Sequence, residues 1–180
     1  DYCRRKMMLK IFAEKISNLS RNIGNIAALL ILPLIILIVY ATSKRYFFDS
    51  MPSWGYEVPI FIYGIFFLMG GILCQLKGKH VNVDILPKYV SPKWQRRLSV
   101  ISNVMIAIAC FTVAYYASKW AYESTLINER SVHQTDFNPT VWWFKWFVPV
   151  SFLLIALQSI ANIILPPPDS DDLKPLKEDK

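Results

Sequence analysis

Few residues in this 180-residue chain combine a reactive side chain with a position inside or beside its long apolar runs. Glu57, Glu123 and Lys145 stand at run edges, and His80 and Asp84 fall in a basic stretch at 78–97. Gln75, Asn103, Gln158 and Asn162 are amide side chains within the runs. Metal chemistry has little to work with, because His80 and His133 occupy different loops and Cys3, Cys74 and Cys110 have neither metal nor redox spacing. No nucleophile with a base, acid–base pair or phosphate-cradling loop is recognisable, so the chain is expected not to be an enzyme and to carry no cofactor. Haem ligation needs axial ligands inside the spans, and no histidine lies there. A transporter acting alone usually places an ionisable or broken-helix site near mid-membrane. The four amides offer instead hydrogen bonds between helices, with pore lining by Asn103 and Gln158 as the alternative.

The elements that hold these residues are membrane spans. The chain is 54% hydrophobic yet has a net charge of +7, a combination that one-sided loops on a membrane protein explain better than nucleic-acid binding does. A helical crossing needs about 20 mostly apolar residues. Four such runs are predicted, at about 23–42, 58–76, 98–120 and 144–165. Pro33 interrupts the first, and Gly64, Gly70 and Gly71 in the second are candidates for close backbone approach. Tyr46, Phe47, Phe48, Trp54 and Tyr56 form an interfacial aromatic belt between them. Ser91 and Pro92 have the types of a helix cap and first residue ahead of the third span. Along that span Ala107, Cys110, Ala114, Ala117, Ser118 and Ala121 make a small-residue face.

Residues 1–21 do not read as a secretory signal, and the missing initiator Met implies that the natural start is trimmed or lies upstream. Met8, Phe12, Ile16, Leu19 and Ile23 recur at helical spacing among Arg4, Arg5, Lys6, Lys10 and Lys15, the pattern of a basic amphipathic helix on a membrane surface. A frayed leader is the alternative. After Pro166, Pro167 and Pro168 the tail at 166–180 lacks apolar periodicity and is predicted to be disordered. Fifteen of the twenty Lys and Arg residues lie in the N-terminal segment, the 77–97 loop and the tail. Positive charge is retained in the cytoplasm, so that loop and both termini are placed there. The predicted fold is thus an all-α integral membrane protein of four transmembrane helices over 22–165, with an amphipathic interfacial helix before it.

Lys145 lies among Trp142, Trp143, Trp146 and Phe147, about one turn into the fourth run. At a helix centre an unpaired Lys costs about 2.5–3.5 kcal/mol to insert, less near an interface. Either it snorkels to water or it pairs, with Glu57, Glu123 or an acidic group on a partner as the candidates.

Over residues 22–165 the chain resembles the small membrane subunit of the tripartite ATP-independent periplasmic (TRAP) transporters, the DctQ-like small permease. The similarity runs through Arg45, Tyr46, Trp54, Glu57, Gly70 and Gly71 to its strongest part, His80, Val81, Val83 and Asp84. It continues with Pro92, Arg96, Arg97, Glu123, Ser124, Pro139, Lys145, Pro149, Leu157 and Gln158. Asn82 stands where the family usually has a basic residue.

The resemblance implies a non-catalytic scaffold. A large membrane subunit with the sodium and substrate sites would move small organic anions by an elevator-like motion, and a periplasmic substrate-binding protein would dock transiently outside. Glu57, Gly70, Gly71, His80, Asp84, Glu123, Lys145 and Gln158 then become candidate structural or partner-interface residues, with membrane lipids as further partners. His80 and Asp84 would fix the cytoplasmic hairpin or touch the large subunit, or form only a solvated turn. The alternatives are a four-span anchor of a respiratory complex and an autonomous small transporter.

Overall fold

A computed structural model describes residues 2–77, 92–132 and 136–165. Helices α1 (Tyr2–Leu29), α2 (Ile31–Phe48), α3 (Glu57–Leu76), α4 (Pro92–Leu126), α5 (Trp142–Lys145) and α6 (Phe147–Ile164) account for most of them. The described residues contain no strand, only an isolated bridge between Arg130 and Thr140. Among the described residues four segments are long and apolar enough to cross a membrane: Met7–Phe48, Glu57–Leu76, Arg96–Leu126 and Trp142–Ile164.

Two of these segments depart from the sequence reading in a way that proline explains. The helix of the N-terminal segment runs unbroken past residue 21 and ends only at Leu29. Pro33 has no N–H for the Leu29 carbonyl, and its ring crowds that oxygen. The chain tightens there, with Leu30 N bonding Ala27 O at 3.0 Å, before Leu34 N bonds Leu30 O at 3.2 Å. The fourth span, expected as one helix, is two. Pro149 leaves the Lys145 carbonyl without its usual partner, α5 stops at Lys145, and α6 restarts at Phe147. The third helix is also longer than its expected span, reaching Leu126. At 1.5 Å per residue it measures roughly 52 Å, more than the hydrocarbon core of about 30 Å, so its basic first turns project beyond it.

Helix α6 is the axis of the bundle, packing against α1, α3 and α4. Within its segment 39% of the span is buried by the chain itself, against 11–17% in the other three. Small residues make this possible. Ala107, Cys110, Ala114 and Ala121 of α4 and Ser151, Ala156, Ser159 and Ala161 of α6 are buried. Two glycines are required by contact: a Cβ on Gly24 would lie 2.7 Å from Leu73 Cβ, and one on Gly64 would lie 2.4 Å from Phe144 Cζ. Helix α2 is different. It buries only Leu34 and Ala41 and leans lightly on α3, leaving Ile35, Ile36, Val39, Phe47 and Phe48 exposed. In a bilayer such apolar surface meets lipid or another membrane protein.

Candidate functional site

The polar side chains collect at two levels of the bundle. At the level of Gln75, close to the C-terminus of α3, an amide and hydroxyl network joins all the long helices except α2. Gln75 Nε2 donates to Asn103 Oδ1 of α4 at 2.9 Å and to Ser159 Oγ of α6 at 2.8 Å. Asn162 Nδ2 of α6 donates to the Gln75 carbonyl at 2.8 Å, and Gln158 Nε2 donates to Asn162 Oδ1 at 2.9 Å. Helix α1 enters through Ser20, whose Oγ donates to Gln158 Oε1 at 2.7 Å, and through Ser17 Oγ, 3.3 Å from Gln158 Nε2. Gln75, Gln158, Ser159 and Ser20 are almost wholly buried. Buried polar groups in an apolar surrounding are costly when unpaired, so such a network fixes the relative position of its helices.

The second level lies where α4 ends and α5 begins. Val141 N bonds Glu129 O and Ser131 N bonds Pro139 O, both at 2.9 Å, so the chain after α4 returns alongside itself. This brings Glu129 to Lys145. The Lys145 ammonium donates to Glu129 Oε2, which also accepts from Ser124 Oγ at 2.7 Å. Nζ sits 4.0 Å from the centroid of the Trp120 ring, adding a cation–π contact. The Lys145 side chain is 9% exposed and that of Glu129 is 31% exposed, so the pair stands at the boundary of the buried region. The hydrogen bond from Lys145 chiefly, with that from Ser124, holds the Glu129 carboxyl below the usual carboxylate range; partial burial opposes this less strongly. Nearby, Trp146 Nε1 donates to Thr125 Oγ1 at 3.0 Å. Glu57, the first residue of α3, is buried and accepts from Ser131 Oγ, while its Oε2 has no hydrogen-bond partner among the described residues. Its position at a helix N-terminus favours negative charge.

Among the described residues neither polar level pairs a nucleophile with a base. Among the described residues there is no group of three His, Cys, Asp or Glu side chains able to hold a metal ion. The geometry braces helices and anchors a loop.

The family profile for tripartite ATP-independent periplasmic transporters, DctQ component, matches residues 34–166. The chain belongs to the DctQ family. It is therefore a transporter component and not an enzyme, the small subunit of a TRAP system. DctQ proteins work with a large DctM subunit and a periplasmic binding protein, and the apolar helices accord with a multi-pass inner-membrane location. Searches of curated proteins and of solved structures find no match.

The structure puts the residues singled out from the sequence in unequal positions. Gln158 is at the centre of the amide network, and Lys145 is buried and paired. The partner of Lys145 is a correction: it is neither Glu57, which serves Ser131, nor Glu123, which is exposed, but Glu129. A Cβ on Gly71 would meet Ile155 Cδ1 at 3.4 Å, and one on Gly70 would meet open space. His80 and Asp84 lie outside the described residues.

Sequence reasoning missed Glu129, Ser131, Ser17, Ser20, Ser159 and Gly24. For the α1 members a signal existed. Ala13, Ser17, Ser20, Gly24 and Ala27 recur every three or four residues, which makes a small-residue seam. That seam faces the bundle, whereas Met8, Phe12 and Leu19, the large apolar stripe, are exposed.

Proposed function

We propose that this chain is the stationary scaffold of a sodium-coupled TRAP transporter for small organic anions. It packs beside the large elevator-type subunit, which carries the sodium and substrate sites, and helps present a periplasmic docking surface to the substrate-binding protein. Both termini lie in the cytoplasm, in keeping with the concentration of Lys and Arg in the N-terminal segment, the 77–97 loop and the tail. The basic start of α1 rests on anionic headgroups. One observation carries the scaffold reading: the span amides Gln75, Asn103, Gln158 and Asn162 are consumed by bonds within the chain. Groups that bind and release cargo must exchange partners, whereas groups that brace a stationary element need not.

The test is recovery of the tagged chain from its native membrane in mild detergent, with mass analysis of what accompanies it. A stoichiometric many-span membrane protein supports the scaffold. Recovery with a redox enzyme, or sodium-driven uptake by liposomes holding this chain alone, overturns it.

A further inference from the structure

The surface between α2 and α3 has a chemistry that the scaffold role does not use. A groove of about 410 Å³ runs between these helices, open to the surroundings and walled by Ile38, Ala41, Pro59 and Ile60, with Arg45 and Tyr56 at its mouth. Its upper end is closed by the 49–56 connection. There Trp54 stacks on Tyr40 with centroids 5.9 Å apart, and Gly55 approaches Ala41 so closely that a Cβ would lie 3.3 Å from the alanine methyl. Tyr46, Phe47, Phe48, Trp54 and Tyr56 set this mouth at the level of an interfacial aromatic belt.

Arg45 is exposed, and among the described residues no carboxylate lies within ion-pair distance of its guanidinium. The charged groups nearest in the chain are Lys44, engaged over the Phe48 ring at 5.0 Å, and Asp49, which caps α2 in a left-handed conformation. Glu57 is turned away to Ser131. An apolar partner helix in this groove would leave the guanidinium without an anion. A phospholipid supplies both halves of the match: an acyl chain for the aliphatic walls, and a phosphate at headgroup level for a planar donor fork suited to it.

We infer that the α2–α3 groove is a phospholipid site, with one acyl chain along Ile38, Ala41 and Ile60 and an anionic headgroup on Arg45. The site needs only that the chain spans a bilayer, so it stands or falls separately from the transporter reading. The lipid fills the gap beside the most loosely held helix and fastens α2 to α3.

The experiment is nondenaturing mass spectrometry of the full chain in detergent, titrated with phosphatidylglycerol or phosphatidylcholine. One retained phosphatidylglycerol is expected, favoured about tenfold over phosphatidylcholine. Arg45→Gln should cut that retention at least fivefold while Arg45→Lys keeps part of it. Thr42→Trp, which fills the groove and leaves the arginine in place, should also expel the lipid. Lys119→Gln changes an exposed cation near the same end of α4, outside the groove, and should change nothing. Undiminished retention in Arg45→Gln overturns the inference, as does an equal loss in Lys119→Gln. So does a cross-link from position 45 to a protein partner in the native complex with no lipid retained.

Discussion

The two polar levels of this bundle solve the same problem, fixing helices in an apolar medium, with opposite chemistry. Around Gln75 the groups are neutral amides and hydroxyls, and their bonds join α1, α3, α4 and α6 or successive turns of one helix. Around Lys145 there is a charged pair on a loop, beside an aromatic ring, with partial access to water. The neutral level is insensitive to pH and salt and fails only if a partner is removed. The charged level answers to both, since screening and protonation reach it. A scaffold beside a moving neighbour gains from this division: a fixed end, and an end whose loop is held by a bond that solution conditions can loosen.

The strongest way to break the comparison is at its centre. Gln158→Leu keeps the side-chain volume roughly constant but strands Ser20 Oγ and Asn162 Oδ1, both bonded only through the glutamine amide. The expected loss is roughly 3 kcal/mol, the upper end for an unsatisfied buried group, tempered because polar groups within a bilayer find substitutes. Detergent denaturation followed by helical circular dichroism measures it, and an unchanged midpoint would mean that the network is not the brace. Gly24→Val is expected to follow, at about 2 kcal/mol from overpacking against Leu73. The same assay with Gly24→Ala should give a smaller loss of the same sign.

Much of this architecture could be read from residue types alone, because span length and apolar content are one-dimensional properties. The polar residues of the Gln75 level were also legible, since Gln75, Asn103, Gln158 and Asn162 had few uses in a bilayer besides bonding one another. The packing seam of α1 was harder to read than its large apolar stripe, because close approach of membrane helices selects small residues, here Ala13, Ser20, Gly24 and Ala27. The partner of Lys145 was not legible, because it depends on how the chain after Leu126 turns back. The left-handed Asn128 and the Arg130–Thr140 bridge settle that, and neither follows from spacing. The breaks at Leu30 and Trp146 were half legible: Pro33 and Pro149 mark them, but only the lost carbonyl partners place them one turn earlier.

The Lys145 level sharpens the comparison through pH. The Glu129 carboxyl titrates lower in the folded chain than in the unfolded one, where a glutamate has a pKa of about 4.3. Its contribution is therefore complete above about pH 4.3 and is lost as pH falls through the lowered folded value, because the unfolded state then binds the proton more readily. Hydrogen exchange at 127–132 should accelerate on acidification from pH 6 to pH 3 relative to the intrinsic rate, while amides at 155–162 should keep their protection. Glu129→Gln should abolish the difference at the loop. Equal acceleration at both levels would mean that the bundle opens as a unit and that the two levels are not separate.

The smallest effect on the chain itself is expected at Gly70, and the contrast with Gly24 makes it informative. A Cβ at Gly70 meets nothing within 4 Å, so Gly70→Leu should leave the isolated chain's denaturation midpoint within about 0.5 kcal/mol. A half-buried helical glycine whose Cβ position meets no neighbour sacrifices helix propensity for no internal packing gain. In a subunit of a larger complex, that sacrifice has a use if a partner helix approaches there closely. Gly70→Leu should then reduce recovery of the large subunit from native membranes several-fold while the small chain accumulates normally. Undiminished recovery would remove the Gly70 face from the interface and turn attention to the exposed surface of α2.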